Sequence, residues 1–357
     1  PRRPGTLPPG RVSSVAEQRP RCNEQSPRSR TTLAVAIFCA DTTEAGMGNI
    51  NDAVGSIRGT PMVELQRVVP RGHARVLVKL ESQNPTGSMK DRMALAVVDR
   101  AVASGRLPKT GTLVEYTGGS TGTSLAFVCA ARGIAIKLVT SDAFSLEKRD
   151  HMRALGADVI EIPSRGGGIT KGLIQGMMRR AADLCLTPSE FPADQFNNPD
   201  ARGGYAPLAE KIWDQSGGRV DGFVQSVGTS HCIAGVAQVL REHNPDVHVV
   251  AVEPSESAVL SGGAAGAHNI EGIGPGFVPL KWDSGIADDD DAVSTADAMK
   301  MSRRLAKEEA LFGGTSSGAN VVAALRVAET LGTGSTVVTL ICDSGMKYLS
   351  TDLYSAG

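Results

Sequence analysis

Glu81-Ser-Gln-Asn-Pro-Thr-Gly-Ser-Met-Lys-Asp-Arg92 joins a short apolar run at 76–80 to a helical pattern over 88–103. Asn84-Pro85 and Gly87 make a turn, and Ser88 with Asp91 fits a capping box that opens the helix. Lys90 then falls in the first turn, at the positive end of the helix dipole. A free ammonium is disfavoured there by about 0.3–1 kcal/mol. A helix end that disfavours the charged form suits an amine that forms a Schiff base. A solvated surface lysine explains the segment equally well, so the rest of the chain must decide.

Outward from this stretch, apolar runs alternate with helical patterns. Strands are expected at 112–116, 136–140 and 159–162, with helices at 121–132, 145–155 and 169–184. After a loop at 191–204 come strand 222–227, helix 230–243 and strand 247–252. A loop-rich span, 254–291, precedes helices 295–309 and 317–331 and strand 336–342. Strands apolar throughout and separated by helices imply a parallel sheet covered on both faces. The expected fold class is α/β: two lobes of mainly parallel sheet, each in three layers, with the active site between them. No internal repeat is visible.

Composition narrows the function. With 41% apolar residues and a net charge of −1, most of the 357-residue chain is not disordered. A near-neutral chain lacks the basic surface that a nucleic-acid or anionic-membrane partner requires, and no apolar run of 18 residues occurs. Residues 1–46 differ: they hold seven Arg, no Lys and four acids, a net of +3. They read as a disordered N-terminal extension with a short apolar run at 31–40, and Met47 is a natural start for the folded part. Six cysteines without a CxxC pair or metal spacing give no disulfide framework and no metal site, which favours the cytoplasm. The 41 glycines should mark turns and close approaches to a small anion.

Three loops supply the anion sites. Thr117-Gly-Gly-Ser-Thr-Gly122 lies between a strand and a helix, where backbone N–H groups can hold an anion; it does not match G-x-G-x-x-G. Gly228-Thr-Ser-His-Cys232 makes a second such junction. Gly313-Gly-Thr-Ser-Ser-Gly318 is a third, with Ser316 or Ser317 as the N-cap. One candidate amine and two or three anion loops suggest pyridoxal phosphate plus an amino-acid carboxylate.

Here the chain resembles a known family. Asn84-Pro-Thr-Gly-Ser-Met-Lys-Asp-Arg92 is similar to the cofactor-lysine segment of cysteine synthase (O-acetylserine sulfhydrylase) and its fold-type-II pyridoxal-phosphate relatives. The resemblance runs from about Ile57 to Tyr354. It includes Gly59-Thr-Pro-Met-Val-Glu-Leu65, Val252-Glu-Pro-Ser-Glu-Ser-Ala-Val-Leu-Ser-Gly-Gly263, His268-Asn-Ile-Glu-Gly-Ile-Gly-Pro-Gly-Phe277 and Asp343-Ser-Gly-Met-Lys-Tyr-Leu-Ser-Thr351. The resemblance implies a large cofactor-binding lobe from 47–88 plus 196–357 and a smaller mobile lobe from 89–195. It implies that Lys90 carries pyridoxal 5′-phosphate as an internal aldimine and later moves the Cα proton. Thr117, Gly118, Gly119 and Thr121 match the loop that grips the substrate carboxylate, with Gln195. Gly228, Thr229, Ser230, His231 and Cys232 match the phosphate loop, Ser316 faces the pyridine nitrogen, and Gly272 lies near the mouth.

The implied reaction is a β-replacement. An O-activated L-serine, O-acetylserine or O-phosphoserine, loses its β-substituent through an aminoacrylate. A sulfur nucleophile, sulfide or thiosulfate, then gives L-cysteine or S-sulfocysteine. A serine/threonine dehydratase or a cystathionine β-synthase is the alternative on the same fold. The family also implies a homodimer and serine acetyltransferase as a partner. Three departures stand out. Ser120 replaces the usual Asn beside the cofactor's phenolic oxygen. Ser230-His231 replaces a Gly-Gly pair, leaving His231 either facing phosphate or pointing to solvent. Arg202, in a shortened loop, either reaches an anionic substrate or is solvated.

Overall fold

The structure is a computed structural model describing residues 52–57, 59–164 and 169–355. The readings for 1–46, Met47 and two of the six cysteines, Cys22 and Cys39, lie outside the described residues. In chain order the elements begin with β1 (Met62–Glu64), β2 (Arg75–Leu80), α1 (Lys90–Ala103), β3 (Thr112–Tyr116) and α2 (Ser120–Arg132). Next come β4 (Ala135–Ser141), α3 (Leu146–Ala154), β5 (Asp158–Ile162), α4 (Lys171–Leu184) and β6 (Glu190–Pro192). Then follow α5 (Asp200–Gly203), α6 (Ala206–Gln215), β7 (Gly222–Ser226), α7 (His231–His243) and β8 (His248–Pro254). The last are β9 (Asp289–Val293), α8 (Thr295–Glu308), α9 (Thr315–Leu331), β10 (Thr336–Ile341) and α10 (Asp352–Ser355).

The strands form two sheets, ordered β1-β2-β10-β7-β8-β9 and β5-β4-β3-β6. Every pairing is parallel except β1 on β2. The unbroken apolar runs explain this. β7 and β10 are buried along their whole length, as strands covered on both faces must be. The larger sheet packs one face on α8 and α9 and the other on α6 and α7. The smaller sheet lies between α4 on one side and α1 with α2 on the other. The α/β class with mainly parallel sheets is therefore as expected. Among the described residues no helix is long and apolar enough to cross a membrane.

Four local readings need correction. The loop expected at 191–204 contains the edge strand β6 and the short turn α5, and helix α6 follows unread. β6 has three residues and ends in Pro192, which only a sheet edge tolerates. The loop-rich span hides the start of β9, whose sequence Asp-Asp-Asp-Ala-Val is poor in strand formers. It survives because it is an edge strand with its acids in water. The start of α1 carries no capping box: Asp91 turns back to Thr86, accepting from its N at 2.9 Å and its Oγ1 at 2.5 Å. At α9 the cap is Gly314, two residues before Ser316 and three before Ser317.

The topology places the site. β2, β7 and β10 are neighbours whose carboxyl ends lead into the Lys90 turn, Gly228–Cys232 and Asp343. The carboxyl end of β3, in the other sheet, leads into Thr117–Thr121. Ligands of open α/β sheets bind at these ends.

Candidate active site

Lys90 is the first residue of α1, and its N–H donates to Ser88 Oγ at 3.2 Å. Its turn is stitched to the end of β10: Met89 N donates to Cys342 O at 2.9 Å and Ser344 N to Gly87 O at 2.9 Å. Gly87, at φ +73°, lies so close that a Cβ would sit 3.2 Å from Ser344 Cβ. Below the turn, Arg92 clamps Glu81 through Nε at 2.6 Å and Nη2 at 2.8 Å. Thr60 Oγ1 and Asn84 Nδ2 also donate to Glu81, at 2.7 and 2.8 Å. Burial pushes the Glu81 carboxyl up, but these donors and the Arg92 charge hold it below its ordinary value.

The loop after β3 curls around Thr117 Oγ1, which accepts from Gly119 N and Gly122 N at 2.9 Å each. Gly119 has φ +127°, and a Cβ there would overlap the Lys148 stem at 2.4 Å. Thr121 Oγ1 donates to Gln195 Oε1 at 2.8 Å, and Gln195 Nε2 donates to Tyr116 O at 2.7 Å. The expected proximity of Gln195 to this loop is thus present. Glu115 is a participant the sequence reading missed. Its carboxyl accepts from Tyr116 N and Gln195 N, both at 2.9 Å. Full burial pushes its pKa up to about 8 despite those donors. An acid inside the otherwise apolar run Thr112-Leu-Val-Glu-Tyr116 was the available signal. Ser120 Oγ donates to Asp343 Oδ2 at 3.1 Å, the same oxygen that receives the Tyr348 hydroxyl at 2.8 Å.

The loop Gly228–Cys232 opens α7, and Ser230 is left-handed at φ +67°. Gly274 N donates to Val227 O at 3.1 Å, which draws the Gly272 segment against Gly228. A Cβ on Gly228 would lie 2.4 Å from Gly272 O, a backbone atom. Gly228→Ala is therefore expected to push the two loops apart and cost about 1–3 kcal/mol, read by urea unfolding. His231 does not point to solvent: it is 2% exposed, and burial lowers its pKa to about 4. Ser230 Oγ and His231 Nε2 are buried without a hydrogen-bond partner. Cys232 lies in the hydrophobic core.

These parts surround a cleft with a cavity volume of about 120 Å³. Lys90, Thr117–Thr121, Gln195, Gly228, Thr229, Gly272 and Ser316 line it, with Lys148, Glu271, Asp343 and Tyr348, which the sequence reading did not single out. Ser230, His231 and Cys232 stand behind the wall. Arg202 is elsewhere: on α5 it lines a separate surface hollow with Gln238 and Arg241, and Nη2 donates to Ala234 O at 3.2 Å. Its backbone packs under α7, where a Cβ on Gly235 would meet Arg202 O at 2.7 Å.

Comparison with known proteins adds the family. Residues 54–343 match the profile of pyridoxal-phosphate dependent enzymes. A cysteine synthase of Staphylococcus aureus is 42% identical over 310 residues, covering 86% of this chain and 97% of the relative. An O-ureido-L-serine synthase of Streptomyces lavendulae is 41% identical over 307 residues, covering 85% and 92%. The crystal structure of O-acetyl serine sulfhydrylase isoform 3 from Entamoeba histolytica superposes with a TM-score of 0.79 at 34% identity, covering 94% of this chain and 95% of that one.

The residues present fit the group for which that family is named. The first turn of α7 leaves N–H groups free by helix geometry, beside the unpartnered Ser230 hydroxyl, which suits a phosphate. Gly228 keeps the approach to that turn clear of side chains. An amine, Lys90, and a hydroxyl, Ser316, face the same cavity.

Proposed function

Since this chain belongs to the pyridoxal-phosphate-dependent enzymes, we propose that it catalyses β-replacement on an O-activated L-serine by a sulfur nucleophile. O-acetylserine or O-phosphoserine is the first substrate, and sulfide or thiosulfate the second. The activities for which the cysteine synthase and O-acetyl serine sulfhydrylase relatives are named support the reaction class. One observation carries it: a single cavity holds Lys90, the N–H loop at Thr117–Thr121 and the approach to the α7 N-terminus.

When bound, pyridoxal phosphate supplies the electron sink that lets a Cα–H bond break and a β-substituent leave. The protein does the rest. Lys90 Nζ would hold the cofactor, and the same amine is placed to move the proton at the substrate Cα. Gly228, Thr229 and Ser230, with the N–H groups of His231 and Cys232, hold the phosphate. Ser316 donates to or accepts from the ring nitrogen; a hydroxyl does not enforce a full positive charge there, which suits elimination of a good leaving group. Ser120 stands by the ring, with Asp343 as its hydrogen-bond partner. Thr117, Gly118, Gly119 and Thr121 bind the substrate carboxylate, Gln195 fixes Thr121, and Gly272 stands near the mouth. In this reading residues 89–195 form a smaller lobe that moves against 47–88 plus 196–357. A homodimer in the cytoplasm, with serine acetyltransferase as a partner, completes it; Cys129, Cys185, Cys232 and Cys342 are free thiols, consistent with a reducing compartment.

The test follows the visible spectrum of the holoenzyme on adding O-acetylserine or O-phosphoserine, then sulfide or thiosulfate, with product analysis. A spectral change with a serine derivative, reversed by the sulfur donor with formation of L-cysteine from sulfide or S-sulfocysteine from thiosulfate, is expected. An unchanged spectrum with both serine derivatives overturns the proposal.

A further inference from the structure

Among the described residues lining the cavity, four are charged: Lys90, Lys148, Glu271 and Asp343. Lys90 is committed to the cofactor under the function proposed above. Asp343 is held by the hydroxyls of Ser120 and Tyr348. That leaves one pair. Lys148 on α3 meets Glu271 at 2.5 Å, with side-chain exposures of 2% and 12%. Its ammonium lies 4.1 Å from the centre of the Tyr348 ring, which fixes it against the cavity wall. The Lys148 stem runs directly over Gly119 of the carboxylate loop, the residue that has no room for a Cβ.

A buried ion pair resists loss of one partner but accepts a replacement of the same charge. Glu271 is the partner able to leave. It is the more exposed of the two, and Gly272, Gly274 and Gly276 follow it, all at positive φ. Lys148 is anchored on a helix and against an aromatic ring. An oxyanion entering beside Gly119 therefore finds an ammonium whose present partner is the less buried of the two and stands at the start of a glycine-rich turn.

We propose that Lys148 is the specificity-determining cation of this cavity, receiving a tetrahedral oxyanion on the β-substituent or on the incoming nucleophile by exchange with Glu271. The ligand class is a phosphate ester or an oxyanion of sulfur. The proposal deepens the function above and rests on it. It has a directional consequence, because the two partners act with opposite sign on the same ligand. Lys148→Met removes the cation, whereas Glu271→Gln frees it. A purely structural pair would instead suffer from both changes alike.

The experiment measures KM on the holoenzyme for O-phosphoserine against O-acetylserine, and for thiosulfate against sulfide. Titration calorimetry with inorganic phosphate and with thiosulfate reads binding without turnover. Lys148→Met is expected to raise the ratio of oxyanion KM to reference KM about tenfold, and Glu271→Gln to lower it about threefold, the scale of one charge-assisted hydrogen bond. Should a single variant fold poorly, Lys148→Met/Glu271→Gln removes both charges together and should behave like Lys148→Met. The O-phosphoserine and thiosulfate arms distinguish leaving group from nucleophile. Ratios unchanged in every variant, or shifted the same way by both single changes, overturn the proposal. So does a wild type that uses O-acetylserine with sulfide but neither binds nor uses an oxyanion. A wild type inert to every serine derivative instead defeats the function beneath it, while calorimetry still reads the Lys148 site.

Discussion

Lys90→Ala is expected to lose the borohydride-fixable attachment of pyridoxal phosphate and at least about a hundredfold in turnover. A positioned proton carrier alone is worth roughly 10²–10⁴-fold, and Lys90 is also the covalent anchor. The structure leaves no ready substitute nearby. Lys148 is paired with Glu271 at 2.5 Å. Lys79 is buried and donates to Thr60 O and to Gln215 Oε1 at 2.7 Å. Lys347 is buried outside the cavity wall, and burial lowers its pKa to about 8. Reduction followed by peptide mapping should place the cofactor on Lys90 in the wild type and on no residue in the variant. Fixation to another lysine in Lys90→Ala, with the same absorbance as the wild type, would falsify the assignment. Cofactor held without a covalent bond would be consistent with it, since the α7 phosphate turn is untouched by the change.

What was legible in the sequence depended on the range of the interaction. The turn carrying Lys90 and the loops at Thr117–Thr121 and Gly228–Cys232 are written in local backbone chemistry: glycines, hydroxyls and a strand-to-helix junction. The parallel sheets were legible because buried strands are apolar throughout. What escaped was set by distant partners. The capping box read from Ser88 and Asp91 failed because Thr86 offers Asp91 two donors in a buried pocket. β9 is acidic and becomes a strand only by pairing with β8 at an edge. Lys148 and Glu271 lie 123 residues apart, and although Glu271 stands within the His268–Phe277 stretch, nothing local to either residue points to the other. Arg202 illustrates the converse. Its loop looked suited to an anion, yet packing beneath α7 directs it to a surface hollow.

Arg92→Leu is expected to destabilise the fold by about 3–5 kcal/mol, although the side chain never lines the cavity. Glu81 is fully buried, and its partner is 3% exposed. Removing the guanidinium would strand a carboxylate with only Thr60 and Asn84 as side-chain donors. Urea unfolding measures the loss, and a cost below about 1 kcal/mol would refute the assigned role. A sign reversal with pH gives a second check. In the wild type the folded pKa of Glu81 lies below its ordinary 4.5, so the group's stabilisation is complete above that value and is lost as pH falls through the folded pKa. Without Arg92, burial becomes the dominant influence and raises the folded pKa instead. The group then destabilises the variant increasingly as pH rises above the ordinary value, so the variant's deficit should shrink on acidification. Glu81→Gln/Arg92→Leu removes both charges and should recover part of the loss. Function is tied to the same pair, because Arg92 is two residues from Lys90 and its carbonyl packs 2.6 Å from where a Cβ on Gly204 would lie. A turn loosened there misplaces the Lys90 amine, so in Arg92→Leu the fraction of chains that retain pyridoxal phosphate should fall together with stability.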